Sequence, residues 1–251
     1  MTPRQSRAIA IATKEARTVN AIAAAAIATV APSPGTTHAL PDHAVQSADL
    51  TEWSRLYEPG ITLAMHTRQP SMAVREFSAR AALAGISATL RIADSAALQR
   101  HFANSALAQI SGYREWVADV ALWLDAFQCL FGVAEIGLRL QSLSKAMCPR
   151  FHVDQTPVRL VATYGDTGTE WLANSDVDRT LLGPRARDGS DADIGLYRSD
   201  EQIRRMPPFS VALMKGEAWS GNEGRGLVHR SPQLVPPQRR LLLTLDILSA
   251  T

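Results

Sequence analysis

The spacing of apolar residues changes character near Pro149. Upstream it is largely helical. Trp116, Val120, Leu124, Phe127 and Phe131 recur at three- and four-residue intervals from Tyr113, and "SMAVREFSARAAL" has the same character. Ile136, Leu140, Leu143 and Met147 continue as a further stripe, which predicts another helix, stopped by Pro149. Asp94 or Ser95 is placed to cap a helix through Phe102. Strand-like interruptions precede these, at Ile61 to His66 after a short helix and a Pro-Gly turn, and in "GISATLRIAD", where Ile86, Ala88, Leu90 and Ile92 share one face.

Beyond Pro149 the period becomes two. "VRLVATY", "TEWL", "FSVALMKG", "GLVH" and "RLLLTLDIL" read as strands separated by turn signals such as "GDTG" and "SGNEGRG". Between Ala173 and Pro208 a polar stretch is too long for a routine turn, and such loops are usually functional lids or disordered insertions. Its aspartates lack calcium-loop spacing, so it is expected to be a solvated, mobile segment. The fold class is α+β: an N-terminal helical and mixed part packed on a C-terminal barrel or sandwich. The expected divisions are 1–45 (Ala-rich tail and linker), 46–147 (mixed α/β and helical region) and 148–251 (strand-rich core).

Composition changes little in this picture. The 251 residues are 46% hydrophobic and 20% charged, which is globular and long enough for a sizeable core. A net charge of +2 gives no reason to expect nucleic acid as a partner, and the arginine clusters lack interleaved aromatics. Cys129 and Cys148 are too few for a disulfide framework or a zinc ribbon, which fits a reducing compartment. The N-terminal run "VNAIAAAAIATVAP" is of signal-peptide length but far short of the ~20 apolar residues of a membrane span. Glu15 in the leading region and Pro32 after the small-residue site count against cleavage. A cytoplasmic protein with an Ala-rich tail is the expectation, with an export signal as the other reading.

The chemistry begins at "CPRFHVDQ", where the predicted helix hands over to a strand. Side chains two apart on a strand share a face, so His152 and Asp154 are able to grip one ion. His229, in "GRGLVHRSP", supplies a second imidazole at the end of another strand. Two histidines and one carboxylate make the facial triad of non-heme Fe(II) oxygenases, with metal positions left open. Arg240 then begins the last strand. Its guanidinium suits the distal carboxylate of a 2-oxoglutarate co-substrate, because its fork matches a carboxylate bidentately. Arg239 points to the opposite face, so only one of the pair serves. Tyr164 and Trp171 are aromatic strand residues available to line that pocket, and Tyr164 is taken as co-substrate-binding with Arg240 and Thr244. Glu170, ahead of an apolar strand, is expected to be solvated, and Pro149 and Phe151 direct Cys148 away from the metal.

The order of H-x-D, strands, "VHRSP" and then "R-x-x-L-T" resembles the double-stranded β-helix (cupin-like) oxygenases dependent on Fe(II) and 2-oxoglutarate, over Cys148 to Ile247. Pro232 after the distal histidine, and Arg240 with Thr244 four positions on, match the prolyl-hydroxylase-like branch. The resemblance implies iron on His152, Asp154 and His229, with 2-oxoglutarate on Arg240 and Thr244. A second likeness spans "EPGITLAMHTR", "CPRFHVDQTPVRLVATYGDTGTEWL" and "MKGEAWSGNEGRGLVHRSP". It is to the bacterial family known as domain of unknown function 1826, and implies a metal-handling role connected with zinc homeostasis. His66, in "AMHTR", stands where that family has an aromatic residue and is not expected to be a ligand. Three functions follow: an oxygenase acting on an unspecified small molecule or peptide, a non-catalytic protein binding Zn(II) through the same triad, and a metal-dependent hydrolase. The last lacks an evident general base.

Overall fold

The computed structural model describes residues 39–183 and 189–248. The N-terminal apolar run and most of the expected tail lie outside these residues.

In chain order the elements are β1 (Ala44–Ser47), a 3-10 helix (Leu50–Tyr57), β2 (Leu63–His66), α1 (Met72–Leu83), β3 (Ser87–Ile92), α2 (Ser95–Ala103) and α3 (Tyr113–Phe131). Then follow β4 (Ile136–Leu143), β5 (Val158–Tyr164), β6 (Glu170–Trp171), β7 (Arg204–Arg205), β8 (Val211–Lys215), β9 (His229–Arg230) and β10 (Arg240–Ile247). Local signals account for the helix ends. The Asp94 carboxylate accepts from the Ala97 amide at 2.6 Å to start α2, and Ser71 does the same for α1 through Val74. Gly132, at φ 64°, ends α3 in the left-handed conformation that a side chain resists.

The strands form a seven-stranded sheet in the order β1-β2-β8-β5-β10-β4-β3 and a three-stranded sheet in the order β7-β6-β9. β1 and β2 are parallel, and every other pairing of named strands is antiparallel. The large sheet therefore draws strands from both sides of Pro149, and residues 46–147 share it with residues 148–251.

One expected element is corrected. Ile136–Leu143 is a strand, not a helix, filling the gap between β3 and β10. Ile136 and Leu140, four apart, satisfy either period. Leu138 decides between them, because Ile136, Leu138 and Leu140 are all buried while Arg139 is exposed.

Register sorts the large sheet into two faces. Leu241, Leu243 and Leu245 stand opposite Tyr164, Ala162 and Leu160, and all six join the core beneath the helices. There Phe77 of α1 stacks on Trp116 of α3 at 4.6 Å between centroids, alongside Val120 and Phe127. Each such side chain contributes roughly 1.5–3 kcal/mol when fully buried. The opposite, inner face carries Val161, Ala212, Met214 and Leu242, which pack against Trp171 and Leu227 from the side of the small sheet. Arg159, Thr163, Arg240, Thr244 and Asp246 belong to this inner face by alternation. The polar groups between the sheets define the site.

Candidate metal centre

His152 and His229 meet as an isolated antiparallel bridge. Each backbone amide donates to the other residue's carbonyl at 3.0 Å. Directly opposed residues on adjacent strands project to one side, and the imidazole centroids lie 4.6 Å apart. Asp154, two residues on from His152, projects to the same side. One potential ligand atom from each of the three residues lies within 4.8 Å of the other two. His229 Nε2 is 3.5 Å from one Asp154 oxygen and His152 Nε2 is 4.0 Å from the other. Cys148 has no place in this group.

The protonation pattern suits a metal. His152 Nδ1 lies 3.0 Å from the Arg150 carbonyl, and His229 Nδ1 lies 3.0 Å from the Leu227 carbonyl. A carbonyl only accepts, so each Nδ1 carries the hydrogen and each Nε2 presents its lone pair toward Asp154. Burial lowers the His229 pKa to about 4, outweighing the Asp154 carboxylate that raises it, so the ring is neutral at pH 7. Asp154 Oδ2 is buried without a hydrogen-bond partner among the described residues, an acceptor left open for a cation.

Sequence reasoning missed what holds Asp154. Arg159 Nη1 donates to Asp154 Oδ1 at 2.7 Å, while Nε and Nη2 of the same guanidinium reach Asp246 at 2.7 and 3.1 Å. Despite its burial, Arg159 is held more firmly protonated by these two carboxylates. The signal was in the alternation that placed Arg240, since Arg159 shares a face with Val161 and Thr163 and stands opposite Asp246. Gly216 supports the same segment. Its amide donates to the Pro157 carbonyl and the next amide, Glu217, to the Asp154 carbonyl, both at 2.9 Å. A Cβ on Gly216 would sit 2.0 Å from Thr156 O and 2.6 Å from Asp154 O, so only glycine fits.

Arg240 lies on the inner face and is 1% exposed, whereas Arg239 is exposed and donates to the Gln238 carbonyl. Arg240 Nη2 donates to Thr163 Oγ1 at 2.9 Å and to Thr169 Oγ1 at 2.6 Å, and its Nε has no partner among the described residues. It makes no ion pair among the described residues. Burial lowers its pKa to about 10, with the Glu170 carboxylate too weak a counterweight, so it is still a cation at neutral pH. Thr244 is also buried and its hydroxyl is unpartnered. Trp171, two residues beyond Thr169 and opposite His229, is buried with a free indole N–H. Donors outnumber acceptors here.

Two expectations are corrected. Tyr164 does not line this pocket. It stands opposite Leu241 on the helix-covered face, and its hydroxyl donates to Asp119 at 2.7 Å. Thr163, its neighbour, takes the inward place. Glu170 is not solvated but buried, paired with Arg230 at 2.8 Å and with Arg205. His66 packs against Trp53 and Trp123 and is not a member of the His152, Asp154 and His229 group. Outside the triad a cavity of about 730 Å³ opens onto His152, walled on one side by Leu181, Leu182, Ile194 and Leu196. These residues come from the long 173–208 stretch, whose Leu196 and Tyr197 are buried, so this part is packed and not merely solvated.

The chain belongs to the family described as "Protein of unknown function (DUF1826)", whose profile matches residues 47–246. No curated protein sequence matches it. Among solved structures it is similar to the rice dioxygenase for auxin oxidation, at 15% identity and a TM-score of 0.44, with 82% of each chain covered. It is similar to a full-length Neurospora crassa protein in complex with alpha-KG, at 11% identity and a TM-score of 0.40, covering 83% of this chain and 86% of that one. HygX from Streptomyces hygroscopicus with nickel and 2-oxoglutarate bound matches at 14% identity and a TM-score of 0.38, covering 76% and 84%. Among the described residues no helix is long and apolar enough to cross a membrane.

Proposed function

We propose that this protein is an Fe(II)- and 2-oxoglutarate-dependent oxygenase on a double-stranded β-helix core. One observation carries the reading: an open His-Asp-His group and a buried guanidinium, with no carboxylate partner among the described residues, lie in the space between the same two sheets. A desolvated, unpaired cation is costly to keep in a folded interior. A dicarboxylate ligand bound there would offset that cost, and a bare zinc site has no use for it.

In this reading His152 Nε2, His229 Nε2 and Asp154 hold the iron, and Arg240 with Thr244 holds the distal carboxylate of 2-oxoglutarate. Iron with 2-oxoglutarate held there would supply oxidative decarboxylation coupled to C–H hydroxylation, which consumes O2 and yields succinate, CO2 and an alcohol. The chain's own residues orient and desolvate. Arg159 fixes the Asp154 carboxylate by occupying Oδ1, leaving Oδ2 for the metal. The Leu227 and Arg150 carbonyls fix both imidazole tautomers. Thr163 and Thr169 hold the Arg240 fork in place. A hydrolase is disfavoured because the nearby carboxylate of Glu217 is committed to the Gly224 and Gly226 amides.

Anaerobic loading with Fe(II), followed by 2-oxoglutarate, tests the reading. Chelation of the keto acid should produce a visible metal-to-ligand charge-transfer band. Fully loaded iron with no band would overturn it in favour of a non-catalytic metal-binding protein.

A further inference from the structure

Resting on the oxygenase reading, we infer that the substrate is a neutral small molecule with an apolar body, bound in the cavity that opens onto His152. The cavity, about 730 Å³, falls within the range of about 300–1,000 Å³ typical of small-molecule sites. Its apolar lining is Phe151, Val153, Leu181, Leu182, Ile194 and Leu196. His152 is part of the same wall, so a molecule seated there lies beside the metal position.

The charged groups in the lining decide the substrate's charge. Among the described residues there are four, two of each sign, and all are already engaged. Arg150 Nε donates to Asp191 Oδ1 at 2.9 Å, and the other Asp191 oxygen accepts from the Phe151 amide at 2.8 Å. Arg179 Nη2 donates to Asn174 Oδ1 at 2.7 Å and to the Gly226 carbonyl at 2.8 Å. Glu217 accepts from the Gly226 amide at 3.0 Å and from Gly224 at 2.6 Å. A charged substrate would have to give up its hydration for groups already committed elsewhere. A neutral one loses little and covers the leucine and isoleucine wall. The Arg240 pocket differs at every point: it is buried, cationic and unpaired. The chain thus separates an anion site for a co-substrate from an uncharged site for a substrate.

The test uses three probes of one shape: naphthalen-2-ylmethanol, 2-naphthoate and naphthalen-2-ylmethylammonium. Their binding to the full chain is measured by calorimetry at neutral pH, without metal. The alcohol should bind at least about tenfold more tightly than either ion. Leu181→Asp and Ile194→Asp, both at half-buried positions, should each weaken the alcohol about tenfold or more. Equal binding of the three probes, preference for an ion, or no response to the aspartates would overturn the inference. The wild-type comparison decides even if a variant fails to fold. With Mn(II) added, proton relaxation of the bound alcohol should shorten sharply, whereas unchanged relaxation with metal bound would mean that the cavity is not the substrate site. Failure of Mn(II) to bind at all would overturn the metal-site reading, and the substrate assignment with it. Loss of probe selectivity with the charge-transfer band intact would remove the substrate assignment alone.

Discussion

Replacing Arg240 with methionine, which nearly preserves length while removing the charge, should separate co-substrate binding from stability. The guanidinium presents at least its unpartnered Nε, plus whatever the two threonines release, to an incoming carboxylate. Two hydrogen bonds to a charged group, at about 1.5–3 kcal/mol each, amount to about 3–6 kcal/mol. At about 1.4 kcal/mol per factor of ten, the Arg240→Met change should raise half-saturating 2-oxoglutarate by about a hundredfold to ten-thousandfold.

Stability should respond differently. The folded pKa of Arg240, about 10, lies well below that of an ordinary guanidinium, so the fold penalises the cation. For a cation so depressed, the penalty is present in full below pH 10 and is relieved only as pH rises above it. It amounts to roughly 3 kcal/mol. Removing it opposes the loss of the two threonine hydrogen bonds, so the ligand-free melting midpoint should move by only a few degrees. The assay is a 2-oxoglutarate titration of Fe(II)-loaded protein by its charge-transfer band, beside thermal melts of the metal-free protein. Tyr164→Phe, which alters a hydroxyl on the opposite face, should leave the titration unchanged. If the methionine variant titrates within about threefold of wild type, or if Tyr164→Phe weakens binding as much, the assignment of faces is refuted.

Arg159→Met should weaken Fe(II) binding by about 10- to 100-fold, as expected when a group orienting a metal ligand is removed, with isothermal titration as the readout. It should also destabilise the fold, since Asp154 and Asp246 lose their shared counter-ion; restored affinity in Arg159→Lys would support a charge role over a packing one. Gly216→Ala should lower metal affinity at least about tenfold through displacement of the Asp154 backbone, and unchanged affinity would show that the loop yields. Ligand-free stability should fall as pH drops from 6.5 to 4, because His66, buried against Trp53 and Trp123, has its pKa lowered to about 4 while the unfolded chain binds a proton from 6.5 downward. The contribution is about 3 kcal/mol, present in full above pH 6.5. Denaturant melts across that window should be flatter in His66→Phe, and parallel curves would contradict it.

Most of the elements are legible in the sequence, and so are several of the residues that meet at the candidate site. Period-two spacing and turn residues marked β5, β8 and β10, because one row of each strand must be apolar to face the helices. H-x-D spacing put His152 and Asp154 on one side, and the alternation on β10 paired Arg240 with Thr244. Alternation gives relative faces, however, and not which face is inside. Nothing in the pattern of β5 tells Tyr164 from Thr163 as the inward residue, because both faces of a buried central strand are covered. Within Ile136–Leu143 the residues four apart suit both periods and Leu138 suits only a strand, and the place between β3 and β10 is where that strand pairs on both edges. The bridge bringing His229 to His152, the double pairing of Arg159 and the close approach that reserves position 216 for glycine are contacts between segments distant in sequence or across a tight loop. No local pattern encodes them, since their energies exist only once the sheets have closed over one another.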